Sequence, residues 1–158
     1  MVAVRPMQPS DKAVALFKQG YNCAQATAAC FAEDLGLDEK VVLRMMAGFG
    51  AGMGGLRETC GAVTAMVFVA GTLARDFAPT DRASKKALYD TVKRMVREFA
   101  DRHGTTTCAG LLQAASCPAA PDPSERTEAY YAKRPCARLV ATAAEILAKT
   151  LHQARPPQ

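Results

Sequence analysis

The 158-residue sequence contains no tryptophan and only two histidines, His103 and His152. His103 precedes Gly104 at a predicted helix end and His152 falls near the chain terminus, so a Cys–His hydrolase lacks its base. No CxxC pair occurs, which removes the zinc-ribbon and thioredoxin-type motifs, and no CxxCH haem attachment site is present. The longest mainly apolar run, residues 60–74, is short of the roughly 20 residues a membrane span needs. The opening residues MVAVRPMQPSDKAV hold no continuous apolar stretch behind their single arginine and do not read as a secretory signal. A reducing, cytoplasmic setting is therefore expected, with no membrane partner. Strand-like alternation is almost absent, and no internal repeat is visible.

The charge balance is +5. Much of the excess lies between residues 82 and 102, where Lys85, Lys86, Lys93, Arg94 and Arg97 alternate with Asp90, Glu98 and Asp101. The interleaved acids, and aromatics (Tyr89, Phe99) that look like core positions, make this a solvated helix face rather than a nucleic-acid site. The length fits one domain, residues 1–158, with a core of about residues 10–152 between short tails (1–9 and 153–158). Such a chain buries roughly 68–70% of its unfolded surface, so neither a disulfide nor a metal is required for folding.

What is present is helical periodicity. Ser10 or Asp11 caps a first helix ending at Gly20. Asn22 caps a second, with Ala26, Cys30 and Leu35 inward and Gly36 as the stop. Asp38 starts a third through Val41, Val42, Met45 and Met46. The stretch GFGAGMGG, residues 48–55, has five glycines in eight positions and predicts a loop of tight turns or close backbone approach. A helix over about 59–76, apolar on nearly every face, is expected to be central. A long amphipathic helix spans about 80–102, a short one follows Thr106 or Thr107, residues 116–123 form a proline-rich loop, and the last helix starts at Pro135. The fold class is thus all-α, a single-domain bundle of about six to seven helices around a central apolar one.

Six cysteines stand out: Cys23, Cys30, Cys60, Cys108, Cys117 and Cys136. Cys23 follows the cap Asn22, Cys60 follows Thr59, Cys108 follows three threonines, and Cys136 follows Pro135. Four predicted helices thus each place a cysteine in the first turn. Unpaired N–H groups and the positive end of the helix dipole stabilise a thiolate there, favouring its nucleophilic and metal-binding form. If these helix starts converge, they form an electropositive pocket for several thiolates or an anionic cluster. The competing reading is that the cysteines are small buried hydrophobes, which suits Cys30, set mid-helix among alanines. Cys117, in the proline-rich loop, is either a resolving thiol or incidental. The glycine-rich stretch is no phosphate loop, since no GK[ST] follows it; its glycines, Gly52 and Gly54 in particular, let backbone approach the sulfurs and donate N–H groups. Arg57 and Glu58, just before Cys60, either tune its charge or cap the helix. Met45, Met46, Met66 and Met95 read as core.

The segments GYNCAQA (20–26), GFGAGMGG, ETCGAVTA (58–65), CAGLL (108–112) and PCARLV (135–140) resemble, in order, the C-GCAxxG-C-C family of redox-active proteins. The resemblance runs over about residues 10–150. It implies that Cys23, Cys60, Cys108 and Cys136 are the family's four cysteines, and that Cys30 and Cys117 lie outside the motif. The glycine that closes the CGAxxG motif is replaced by Ala65, which narrows any close helix contact there. A related segment accompanies haem in split-Soret cytochromes, where it resembles an iron–sulfur binding region.

Three functional expectations follow. The first is a redox or electron-transfer protein holding an iron–sulfur cluster, of the two-iron type, on three or four of Cys23, Cys60, Cys108 and Cys136, with Gly52 and Gly54 against it. The second is a metal-free thiol–disulfide protein in which Cys23 and Cys60 are the catalytic pair. The third is a zinc-binding protein, or a helical interaction module with inert cysteines. The expected partners are a redox partner and a second copy of the chain in a homodimer.

Overall fold

The structure, a computed structural model, describes residues 6–154. Among them are ten helical segments, one 3₁₀ turn and no strand. Helix α1, Pro9–Lys18, starts on a proline, whose fixed φ suits a first turn. Helix α2, Cys23–Ala29, is capped by Asn22 in a reciprocal box: the Asn22 side chain accepts from the Gln25 N–H at 2.9 Å, and the Gln25 side chain accepts from the Asn22 N–H at 3.0 Å. The helix expected to continue to Gly36 stops at Cys30 and resumes as α3, Ala32–Leu35. The interruption falls at Phe31, whose non-helical backbone (φ −104°, ψ 8°) accompanies complete burial of its ring.

Helix α4, Glu39–Met45, is capped by Asp38 and followed by a 3₁₀ turn, Ala47–Phe49. Val42 and Met46 are buried, but Val41 and Met45, expected inward, are exposed. The α5 segment, Gly50–Met53, is a tight turn rather than a regular helix, because Ala51, Gly52, Met53 and Gly54 all have positive φ. Helix α6, Gly61–Leu73, is shorter than the expected 59–76. It buries Val63, Met66 and Val69 but leaves Val67 exposed, so water reaches one face. The alanine-rich α2 is the more enclosed helix, with Ala24, Ala26, Thr27, Ala28 and Ala29 all buried.

Helix α7, Arg82–His103, is the long basic element and ends on Gly104 in the left-handed conformation. Its charges are paired across the surface: Lys86 with Asp90, Arg102 with Glu98 at 2.6 Å and with Glu145 at 3.0 Å, and Lys149 with Glu98 at 3.3 Å. Phe99 is buried; Tyr89, expected inward, is exposed. Helix α8, Cys108–Ala114, starts on the Thr107 cap, α9, Glu128–Lys133, on the Thr127 cap, and α10, Cys136–Ala154, closes the described chain. Small side chains let α2 pack closely on α6; α10 lies against α1, α2, α6 and α7, while α4 covers α2. Burial of Phe17, Met46, Met66, Met95, Phe99 and Ile146 forms one core among these helices. No described helix is long and apolar enough to cross a membrane.

Candidate functional site

Four helix beginnings face one cavity of about 420 Å³. Cys23 and Cys108 are the first residues of α2 and α8, Cys136 opens α10, and Cys60 is itself the N-cap of α6. All four line the cavity, although 113 positions separate the first from the last (136 − 23). A single antiparallel bridge, Thr59 to Thr107, ties two of the starts together. Around it the Cys60 N–H donates to the Thr106 carbonyl at 2.8 Å and the Cys108 N–H to the Glu58 carbonyl at 2.6 Å. Cys60 and Cys108 are thereby held side by side by backbone, whatever their sulfurs do.

Cys23 and Cys60 share one wall of the cavity, where the Cys23 sulfur lies against Gly61, the residue after Cys60. The Cys60 thiol donates a hydrogen bond that stabilises a Cys23 thiolate, and the backbone N–H groups of Ala51, Ala24 and Gly61 add to it; together they outweigh burial and bring the Cys23 thiol from 9.0 down to about 6. Cys60 moves the other way. Its proton is held by the bond to Cys23, and burial and the neighbouring negative charge push its pKa well above the usual thiol range. The two form one thiol–thiolate unit sharing a proton. Gly61 makes the approach feasible, since a Cβ there would lie 2.6 Å from the Cys23 sulfur. The donor from the glycine-rich stretch is Ala51, whose left-handed conformation turns its N–H toward Cys23. Gly52, also left-handed, lets the chain pass Cys108, where a Cβ would meet the Cys108 Cβ at 2.7 Å; Gly54 lines the cavity.

Cys108 accepts a hydrogen bond from Arg57 Nη1 at 3.6 Å, while Arg57 Nη2 donates to the Ala120 carbonyl at 2.6 Å. Arg57 thus reaches past its neighbour Cys60 to Cys108. Burial, helped by the charge on Cys23, pushes Cys136 up to about 11. Among the described residues no group of three or more histidine, cysteine or acidic side chains is gathered as a single metal ion requires. Cys30 is buried outside this cavity, donates to the Thr27 carbonyl at 3.2 Å, and is pushed up to about 12 by burial. Cys117 does not line the cavity. His103 does not line the cavity; it bonds Thr142 at 3.0 Å, and burial lowers its pKa.

Arg126 and Arg134 are the site residues that cysteine spacing did not reveal. Both line the cavity and stack on the same aromatic: each guanidinium lies 4.7 Å from the Tyr130 ring centre, and Arg126 is also 4.7 Å from Phe17. The available signals were weak: Arg126 stands just before the α9 cap, and Arg134 two positions before Cys136.

The cavity of this helical bundle thus gathers four thiols beside three guanidinium groups, a set of side chains suited to redox chemistry. The family model described as "Putative redox-active protein (C_GCAxxG_C_C)" matches residues 21–150. The chain is a member of that family. No curated protein and no solved structure matches it.

Proposed function

We propose that the chain works as a metal-free dithiol–disulfide redox protein, with Cys23 as attacking thiolate and Cys60 as resolving thiol. The observation that carries this reading is the placement of Cys23 and Cys60 on one cavity, with the Cys23 sulfur against Gly61, the residue that follows Cys60; the Cys23 thiol is lowered to about 6 and the Cys60 thiol raised. A low-pKa thiolate next to a protonated partner is the arrangement that exchange chemistry uses. The Cys23 thiolate attacks one sulfur of a disulfide, a Cys23–substrate mixed disulfide forms, and the first thiolate leaves. Cys60 then attacks the Cys23 sulfur, its proton passing to the second leaving thiolate. The protein is oxidised by two electrons and the substrate disulfide is reduced to one thiol, which carries the Cys60 proton, and one thiolate, which takes a proton from water according to its own pKa.

Free thiols counted in unfolded protein, after incubation with a disulfide, test the scheme. Wild type is expected to lose two thiols, recovered by peptide mapping as a Cys23–Cys60 bridge, and Cys60→Ser to stop at a mixed disulfide on Cys23. A thiol count that does not change would refute it.

A second reading has its own support. Four thiols and three guanidiniums on one cavity are also a donor set for a two-iron iron–sulfur cluster, with Cys23, Cys60, Cys108 and Cys136 as ligands and the arginines offsetting its negative charge. Protein isolated anaerobically is expected to be brown, with iron and acid-labile sulfide in equal amounts, on this reading and colourless on the first.

A further inference from the structure

The positive charge beside the sulfurs exceeds what the chain itself balances. Arg57, Arg126 and Arg134 line the cavity against one carboxylate, Asp122. Among the described residues every ion pair involves Glu98, Asp90 or Glu145 on the outer faces of α7 and α10, and none reaches these arginines. Arg57 Nε and Arg126 Nη1 are buried without any hydrogen-bond partner. A buried guanidinium N–H left unmade is costly, because the group loses water and gains nothing in return. One nitrogen of Arg126 and one of Arg134 hold these groups in place: Arg126 Nη2 donates to the Tyr21 carbonyl at 3.5 Å, and Arg134 Nη2 to Ser124 Oγ at 3.2 Å. The ring of Tyr130, on which both Arg126 and Arg134 stack, holds these two like charges without a paired acid.

We propose that this cavity selects a small disulfide carrying carboxylate groups, the carboxylate engaging Arg126 and Arg57 while the disulfide meets Cys23. The inference rests on the dithiol reading above. Guanidinium forks match carboxylates in geometry as well as charge. A cavity of about 420 Å³ lies within the usual range of small-molecule sites and suits a peptide-sized molecule rather than a folded protein. The exchange is balanced as before: the anionic disulfide is reduced to one thiolate and one thiol, the latter carrying the proton of Cys60, and Cys23 and Cys60 end joined.

Single-turnover oxidation of the reduced chain by oxidised glutathione, which bears carboxylates, is compared with oxidation by cystamine, which bears ammonium groups. Each rate is divided by that of the same disulfide with a simple free thiol. The normalised rate with oxidised glutathione is expected to exceed that with cystamine by about tenfold or more, as a charge-assisted pair would give. Arg126→Gln should reduce that ratio by about tenfold, and Arg126→Lys, which keeps the charge, should restore part of it. Equal normalised rates in wild type would overturn the inference while leaving the dithiol reading intact, and need no variant that might misfold. Failure of both disulfides to remove two thiols would overturn the reading and the inference with it.

Discussion

At Cys23, burial and donated hydrogen bonds pull in opposite directions, and three thiols of this chain show what each does. Burial dominates at Cys30 and Cys136, pushed up to about 12 and about 11. Cys23 is enclosed as well, yet falls to about 6, because Cys60 and three backbone amides address the charged form. Alkylation of Cys23 by iodoacetamide, followed by peptide mass analysis, is therefore expected to rise with a midpoint near pH 6. Cys60→Ala removes the largest of the lowering contributions, so its midpoint should move upward; an unchanged midpoint would show that the Cys60 proton has no part in it. The same shift bears on stability. A depressed pKa stabilises the folded state fully above the unfolded value of 9.0 and loses that contribution as pH falls through about 6. Reduced wild type should accordingly lose more stability between pH 9 and pH 5 than Cys23→Ser in urea titrations. Gly61 offers a steric counterpart. A methyl group there would sit 2.6 Å from the Cys23 sulfur and 2.8 Å from the Phe49 carbonyl oxygen. Gly61→Ala is expected to cost about 1–3 kcal/mol by denaturant titration, as overpacked interiors do, and to slow alkylation of Cys23.

Among the helices, several caps were legible, but not that of α1: Gln8 is its N-cap, without a side-chain bond, and Ser10 and Asp11, expected to cap it, lie inside the first turn that Pro9 starts. Asn22, Asp38 and Thr107 are polar residues at helix starts and cap as their chemistry predicts. Asn22 does more than cap, since its side-chain amide donates to the Ala47 carbonyl at 2.9 Å and its side chain abuts Gly50. It thus ties α2 to the turn that supplies the Ala51 donor. Asn22→Ala should cost about 1–2 kcal/mol and also raise the Cys23 alkylation midpoint. Asp81→Ala, removing the remote α7 cap, should cost a similar amount and leave that midpoint in place. Helix α9 was not read from the sequence, because six residues between a proline-rich loop and Pro135 give too short a periodic signal. The break at Phe31 and the exposure of Met45 and Tyr89 were hidden for a different reason. Period and composition mark which residues suit a core, but only the packing of α4 on α2, and of α7 on α6 and α10, decides which side meets water. Arg126 and Arg134 come together through one shared aromatic ring, a contact that no linear spacing encodes.

For the molecule as a whole, the convergence of four distant cysteines rests on long-range packing: α10 against α1 and α2 brings Cys136 to Cys23, and the Thr59–Thr107 bridge brings Cys60 to Cys108. The helix-start positions of the four thiols could be read from local sequence, but their meeting in one cavity depended on these contacts. The consequence for redox behaviour separates the two functional readings. In the dithiol scheme, oxidation removes two electrons together with whatever protons the reduced pair carries. Below about pH 6 Cys23 is a thiol, so two protons leave, and the midpoint potential should fall by about 59 mV per pH unit. Above it Cys23 is a thiolate while Cys60 keeps its proton, so one proton leaves and the slope should halve to about 30 mV per pH unit. A cluster held by thiolates that stay deprotonated exchanges one electron without these protons, and its potential would not show that break. Equilibration with redox buffers at pH 5 to 8, read by thiol trapping, is expected to give two straight segments meeting near pH 6, and Cys60→Ala should remove the two-electron couple altogether. A potential that is flat across this range would assign the electrons to something other than the Cys23–Cys60 pair.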